Sequence, residues 1–243
     1  MIKEITKNQL IELKFSSMYE IIKKQEELND FLGMSFDERF EYLIQTFYDI
    51  RKHENNLALK RRAKLAYPNA SINDIYYKDR NLDRDLILNL SSGSFIVNNK
   101  NIVILGPSSS GKSYLASAIA NTAGIANDYR TKYLKTSTIK AAIQDLTLKE
   151  KVKLAKSYAS YTLLIIDEFL THDLDTAEMD FFLELIDSRY EKNSTIYCSL
   201  YPIEEWSIRL NNSVVGESII ERIVNGAINL KSGSLNMRKE RPN

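Results

Sequence analysis

Two short stretches carry the residue types that polyphosphate chemistry needs. The first is Gly106-Pro107-Ser108-Ser109-Ser110-Gly111-Lys112-Ser113, a complete G-x-x-x-x-G-K-[ST] pattern. Gly106 and Gly111 permit backbone angles that aim successive N–H groups at phosphate oxygens. Lys112 can reach the β- and γ-phosphates of ATP, and the Ser113 hydroxyl can ligate Mg²⁺. The second is Asp167-Glu168, a pair of carboxylates that ends the apolar run Thr162–Ile166. Asp167 can hold the hydration shell of Mg²⁺ opposite Ser113, and Glu168 can orient or deprotonate an attacking water. The bland readings are a Gly/Ser-rich turn before an ordinary helix and an ordinary strand-to-loop junction. Neither accounts for both stretches occurring in this order, fifty-odd residues apart.

A phosphate loop functions only between a strand and a helix. Asn101–Leu105 reads as the strand, and Tyr114–Ala120 continues as the helix, whose N-terminus adds partial positive charge. The candidate nucleotide contacts are thus Gly106, Pro107, Ser108, Ser109, Ser110, Gly111, Lys112, Ser113 and Tyr114. Further strand-like runs are Thr131–Lys135, Thr162–Ile166, Ser194–Ser199 and Ala227–Lys231. Several are nearly all apolar, as in strands buried on both faces of a parallel sheet. Their alternation with helical stretches predicts an α/β core. Residues 68–98 read as a connector with short helices, capped at Ser71 and Asp83. The connector around Ile75–Tyr77 and Leu82 is the candidate to hold the adenine.

Residues 1–67 read as helical throughout. Ile2, Ile5, Leu10, Leu13, Met18, Ile21 and Ile22 recur at helical spacing, and Gly33 breaks the pattern. Ser35-Phe36-Asp37-Glu38 fits a capping box. Behind it Phe36, Phe40, Leu43, Ile44, Phe47, Ile50 and Leu57 form one apolar stripe on a helix that runs to about Ala66, where Pro68 stops it. Two domains are expected: a helical one over 1–67 and an α/β one over 68–243.

The chain has 243 residues, 44% of them apolar, and a formal net charge of +1. No global basic field advertises nucleic acid, but the charge is segregated. Residues 51–64 carry six Lys/Arg against one Asp/Glu, whereas residues 167–187 carry eight Asp/Glu and no Lys or Arg. A single cysteine, Cys198, excludes an internal disulfide. With His53 and His172 it makes no set of metal ligands. The N-terminus has no unbroken apolar stretch and nothing approaches the length of a membrane span, so a cytoplasmic protein without membrane contact is expected.

With both motifs placed, the chain resembles the IstB-like ATP-binding proteins, AAA+ helpers of bacterial insertion-sequence transposases related to the DnaC-type helicase loaders. The resemblance extends over nearly the whole chain. Leu13–Glu20 is similar to the family's opening segment, Met34–Arg39 to its "SFEER" stretch, and Ala70–Ile75 and Asn81–Arg84 to its "ASLEDI" and "LDR" landmarks. Asp187–Glu191, Ser194–Ile196 and Trp206 after Pro202 match in the core. Ile219–Val224 resembles "ILDRLV", and Gly233–Lys239 resembles the closing "GESMRK". The resemblance implies an AAA+ core of five parallel strands in the spatial order fifth, first, fourth, third, second. It implies little of the usual helical lid, since the sequence given stops soon after Arg238. It also implies a homo-oligomer with ATP at subunit junctions, and Arg222 as the finger that enters a neighbour's site. Such a protein binds double-stranded DNA without much sequence preference and delivers or activates a cognate transposase.

One position departs from the family. Where it has a polar residue after the fourth strand, this chain has Leu200. Leucine cannot donate a hydrogen bond, so Ser199 becomes the substitute, with shorter reach. Hydrolysis is then expected to be slow or dependent on a partner. The DNA contacts implied are Arg51, Lys52, Lys60, Arg61, Arg62 and Lys64, which can neutralise backbone phosphates without reading sequence. A solvated basic face is the alternative. Lys149, Lys151, Lys153 and Lys156 are a second candidate patch. Two other functions stay open. One is a helicase loader of the DnaC type, although loaders often carry a different N-terminal domain. The other is a P-loop enzyme that phosphorylates a small molecule.

Overall fold

The computed structural model describes residues 2–233, 235–237 and 239. Ser234 and Arg238, within the closing stretch Gly233–Lys239, lie outside the described residues. Contacts divide the chain into two compact units, 1–58 and 59–243.

The first unit holds α1 (Glu4–Glu12), α2 (Ser16–Glu27) and most of α3 (Phe36–Ala63). The first apolar pattern is carried by two helices, because Lys14 adopts a left-handed backbone (φ 63°) between them. Nothing in its side chain announces this turn. The capping box forms as its residue types require: Ser35 N–H donates to Glu38 Oε2 at 2.7 Å, and Glu38 N–H to Ser35 Oγ at 3.3 Å. The core here is small. Ile21, Phe31 and Leu43 are buried, and Phe15 and Phe47 meet edge to face at 5.5 Å. The stripe expected on α3 is therefore covered only in part. Phe36 is 70% exposed and stacks on Phe40 at 5.8 Å, because α1 and α2 are too short to cover a helix of 28 residues.

The second unit begins in the last turn of α3, where Leu59 and Ala63 are buried. It continues through α4 (Arg84–Ser91) and α5 (Ser94–Val97) into the sheet. Asp83 caps α4, accepting from Leu86 N–H at 3.0 Å, and Ser71 accepts from Asn73 N–H at 3.1 Å. Then follow β1 (Ile102–Leu105), α6 (Lys112–Ile119), β2 (Thr131–Lys135), α7 (Thr136–Ile143) and α8 (Leu148–Ala159). After them come β3 (Leu163–Phe169), α9 (Thr176–Arg189), β4 (Ser194–Ser199), α10 (Trp206–Arg209), α11 (Val214–Val224) and β5 (Ile228–Lys231).

All strand pairings are parallel, in the order β2-β3-β4-β1-β5. Alternate residues feed two separate cores. Ile102, Ile104, Leu163, Ile165, Ile196 and Cys198 pack on one face, while Val103, Leu164, Ile166 and Tyr197 pack on the other. This two-faced burial is what the apolar runs encode. The sheet places the ends of β1 and β3 on one edge, where crossover connections leave a crevice.

Arg189, at the end of α9, is a buried cation that ties this scaffold together. It donates to the carbonyls of Ala159 (3.0 Å) and Tyr161 (2.5 Å), to Thr195 Oγ1 (2.8 Å), and to the Ser194 carbonyl. It thereby closes the C-terminal end of α8 against the starts of β3 and β4, where carbonyl dipoles favour a cation. Burial lowers its pKa to about 10, which leaves it charged near neutrality. Arg189→Met removes every one of these donors and strands buried acceptors, so unfolding in urea is expected to show a loss of about 3 kcal/mol or more. A midpoint equal to wild type would mean that water serves these carbonyls instead.

Candidate functional site

The phosphate loop leaves β1 at Gly106, whose φ of 153° and close approach to Ser232 require glycine. A Cβ here would lie 2.2 Å from Ser232 Oγ. Gly111 has φ 84°, and its missing Cβ leaves room for Arg80 and Met237. Between them Ser109 also has positive φ (64°). Ser110 Oγ donates to Pro107 O at 2.8 Å and lies 2.5 Å from Ser232 Oγ. The loop is thus fastened from within and from the residue that follows β5.

Lys112 is buried at the start of α6. Its ammonium donates to the carbonyls of Gly106 and Pro107, both at 2.7 Å. Burial lowers its pKa, and the nearby Asp167 carboxylate opposes this. Ser113 follows on the first turn, and its carbonyl accepts from Ser117 Oγ at 2.7 Å.

Asp167 and Glu168 sit on a bulge near the end of β3, which runs three residues beyond the expected end at Ile166. The bulge separates the two carboxylates. Asp167 is 2% exposed and fixed at both oxygens, by Tyr133 OH at 2.6 Å and by Glu168 N–H at 2.9 Å. Thr136 Oγ1 donates to its carbonyl at 3.2 Å. Burial, with the Asp167 charge next, pushes the Tyr133 hydroxyl well above its usual pKa and keeps it a donor. Glu168 has left-handed backbone (φ 59°), an uncommon state for this residue type. Its half-exposed carboxylate meets Lys135 Nζ at 2.8 Å, and this bond raises the pKa of Lys135. Sequence reasoning missed Tyr133, Lys135 and Thr136, although the first two lie on a strand it located and Thr136 directly follows it.

A cavity of about 310 Å³ opens beside the loop, lined by Ser109, Gly111, Lys112, Ser113 and Tyr114 together with Tyr67, Asp74, Tyr76, Arg80 and Met237. Of the residues proposed for adenine only Tyr76 lines it. Ile75 and Leu82 are buried in the core, and Tyr77 OH donates to Ile72 O at 2.7 Å.

Ser199 is fully buried. Its hydroxyl donates to Phe169 O at 2.8 Å and accepts from Tyr201 N–H at 3.3 Å, while Leu200 is half-buried. Arg222 lies in the last turn of α11. Its Nε donates to Asp187 at 3.0 Å and it also bonds Ser218. The Arg222 carbonyl accepts from Asn101, the residue that leads into β1. Arg222 is therefore at the start of β1, and the phosphate loop is at its end, one strand length or roughly 13 Å away. The chain does not bring its own Arg222 and Lys112 together.

The basic residues fall on both sides of the division between units. Arg51 lies over the Phe47 ring and donates to Lys14 O, and Lys52 lies near the Tyr48 ring. Lys60, Arg61 and Arg62 occupy the last turn of α3, and Lys64 follows it. Lys60 donates to Asn69 at 3.0 Å, and the Arg62 carbonyl accepts from Lys132. Among the described residues no three His, Cys, Asp or Glu side chains gather in a metal-binding cluster, and no helix is long and apolar enough to cross a membrane.

Known proteins resemble this chain in sequence and in fold. The insertion-sequence ATP-binding protein y4uH of Sinorhizobium fredii is 24% identical over 242 residues, covering 99% of this chain and 97% of its own length. In fold, the chain is similar to the crystal structure of DnaI, with a TM-score of 0.58 and 21% identity over 70% of this chain and 91% of that one. It is similar also to the DnaC helicase loader, with a TM-score of 0.54 and 20% identity over 68% and 97%. The core thus has the AAA+ P-loop fold that its strand order describes. The family described as IstB-like ATP binding protein matches residues 8–242, and the chain belongs to that family.

Proposed function

We propose that the protein is an ATP-dependent, DNA-binding transposition helper that self-assembles on target DNA and recruits or activates its transposase. The observation that carries the ATPase part is the joint placement of Lys112–Ser113 after β1 and Asp167–Glu168 at the end of β3. The helper role draws on the relative's insertion-sequence origin, on the family match across both units and on the basic residues of α3.

The donor set fits Mg²⁺. Ser113 offers a hydroxyl and Asp167 a carboxylate whose oxygens, though each accepts a hydrogen bond, retain lone pairs. Mg²⁺, when bound, neutralises charge on the β- and γ-phosphates. The loop N–H groups hold the phosphates, and Lys112 supplies a further N–H beyond those on Gly106 and Pro107. Glu168 takes a proton from the attacking water as its oxygen bonds to the γ-phosphorus. The bond to the leaving oxygen then breaks, giving ADP and phosphate. Asp167 is too firmly held to swing into that role.

Leu200 leaves the γ-phosphate without a side-chain donor at that position, and Ser199 is engaged with Phe169 and Tyr201. Leu200→Asn is expected to raise phosphate release by up to about 10²-fold. Unchanged turnover, with or without DNA and transposase, would sink this explanation.

The whole reading is tested by mass photometry with duplex DNA, with and without Mg-ATP. Wild type should form large DNA-bound assemblies only with ATP, and Lys112→Ala should form none. A protein that stays monomeric and ignores DNA keeps its ATP site and loses the helper role. Capture of a replicative helicase would instead favour a loader of the DnaC type.

A further inference from the structure

Arg80 is a buried cation that the fold does not explain. It is 2% exposed, and burial lowers its pKa. It makes no ion pair among the described residues. Its Nε donates to the Ser232 carbonyl at 3.2 Å, but Nη2 is buried with no acceptor among the described residues. An unpaired guanidinium N–H in a protein interior is costly, and native structures seldom keep one without a use.

Its surroundings suggest the use. Arg80 lines the same cavity as Lys112, Ser113 and Tyr114. Its Nη2 and Cζ lie 3.1 and 3.2 Å from where a Cβ on Gly111 would be, so the loop glycine and the guanidinium pack against each other. The residues after β5 hold it there: Gly233 lies so close that a Cβ would come within 2.3 Å of the Arg80 carbonyl. Met237, which packs on Gly111 beside Arg80, donates its N–H to Ser109 O at 2.8 Å. A purely structural role, fastening this closing segment to the loop through Ser232, accounts for Nε. It leaves Nη2 and the charge without a purpose.

We propose that Arg80 is a second cation of the nucleotide site, and that its unpaired N–H donors bind the polyphosphate of the bound nucleoside triphosphate. A planar guanidinium matches phosphate oxygens, and a polyphosphate supplies the ion-pair partner that Arg80 does not have among the described residues. This rests on the reading that the cavity beside the phosphate loop takes a nucleotide.

The test compares wild type, Arg80→Gln and Arg80→Lys as full-length chains. Affinities for fluorescent ATP, ADP and AMP analogues are measured by titration, and thermal melting is followed without nucleotide. Glutamine keeps a donor for Ser232 and loses the charge. Arg80→Gln is expected to bind ATP about tenfold to a hundredfold more weakly, the worth of a charged hydrogen bond to phosphate. The loss should shrink from ATP to AMP, and Arg80→Lys should recover part of it. Equal loss for all three nucleotides, or lowered melting with unchanged ATP affinity of the folded protein, would assign Arg80 to the closing segment alone and overturn the proposal. Arg80→Lys decides the matter if Arg80→Gln does not fold: wild-type affinity with its fork lost would equally overturn it. Failure of wild type itself to bind ATP would sink the ATPase reading. Normal wild-type binding with unaffected variants would sink only the role of Arg80.

Discussion

Glu168→Gln is expected to lower ATP turnover by about 10²- to 10⁴-fold while leaving ATP affinity near wild type. The two carboxylates of β3 are adjacent in sequence but differently held. Asp167 is closed on both oxygens by Tyr133 and its own neighbour's N–H, as a fixed ligand should be. Glu168 has one side-chain partner, Lys135, on the exposed side, and its left-handed backbone turns it out of the strand's alternation. Backbone strain of this kind costs about 1–3 kcal/mol and persists where surrounding structure enforces it. Glutamine keeps the shape and can still accept from Lys135, but it cannot take a proton. Phosphate release at saturating ATP, with DNA and transposase present, separates this from lost binding. Turnover close to wild type would move the base elsewhere. Loss of ATP affinity together with turnover would mean that Glu168 helps to hold the nucleotide.

The parts of this site that sequence discloses are the contiguous ones. The phosphate loop is eight consecutive residues, four of which (Gly106, Gly111, Lys112 and Ser113) each answer to one geometric or chemical demand. The strand before it and the carboxylates of β3 show through because burial on both faces demands unbroken apolar runs. The capping box of α3 is local for the same reason. The cavity wall is assembled across distance and leaves no such trace. Arg80 reaches Ser232 over 152 positions, and Tyr67, Asp74 and Met237 meet only because α6 and the segment after β5 bring them together. The bulge in β3 is likewise a property of pairing with β4, where Phe169 and not Glu168 faces Ser199. Propensity was no guide to Lys14 either, since lysine rarely adopts the backbone it has there.

Arg222→Ala should abolish nearly all turnover, by roughly 10³-fold or more, while each subunit still binds ATP. A finger works by neutralising charge that builds on the γ-phosphate, so it must touch a nucleotide. Arg222 sits at the opposite end of β1 from the phosphate loop and so cannot touch its own. Its ion pair with Asp187 is on the surface, where such pairs contribute little, and among the described residues its other side-chain bonds reach only Ser218 one turn back on α11, so Arg222 can be released to a neighbour. This reading predicts complementation. Lys112→Ala subunits keep the finger and lack a working loop, and Arg222→Ala subunits keep the loop and lack the finger. Each variant alone should be inactive, yet a mixture should recover turnover at junctions where an Arg222→Ala loop meets a Lys112→Ala finger. Asp187→Ala is the control, because it removes the pair and keeps the finger. If the mixture stays inactive and Asp187→Ala fails as Arg222→Ala does, then Arg222 anchors α11 to α9 within one subunit, and the junction needs a different cation.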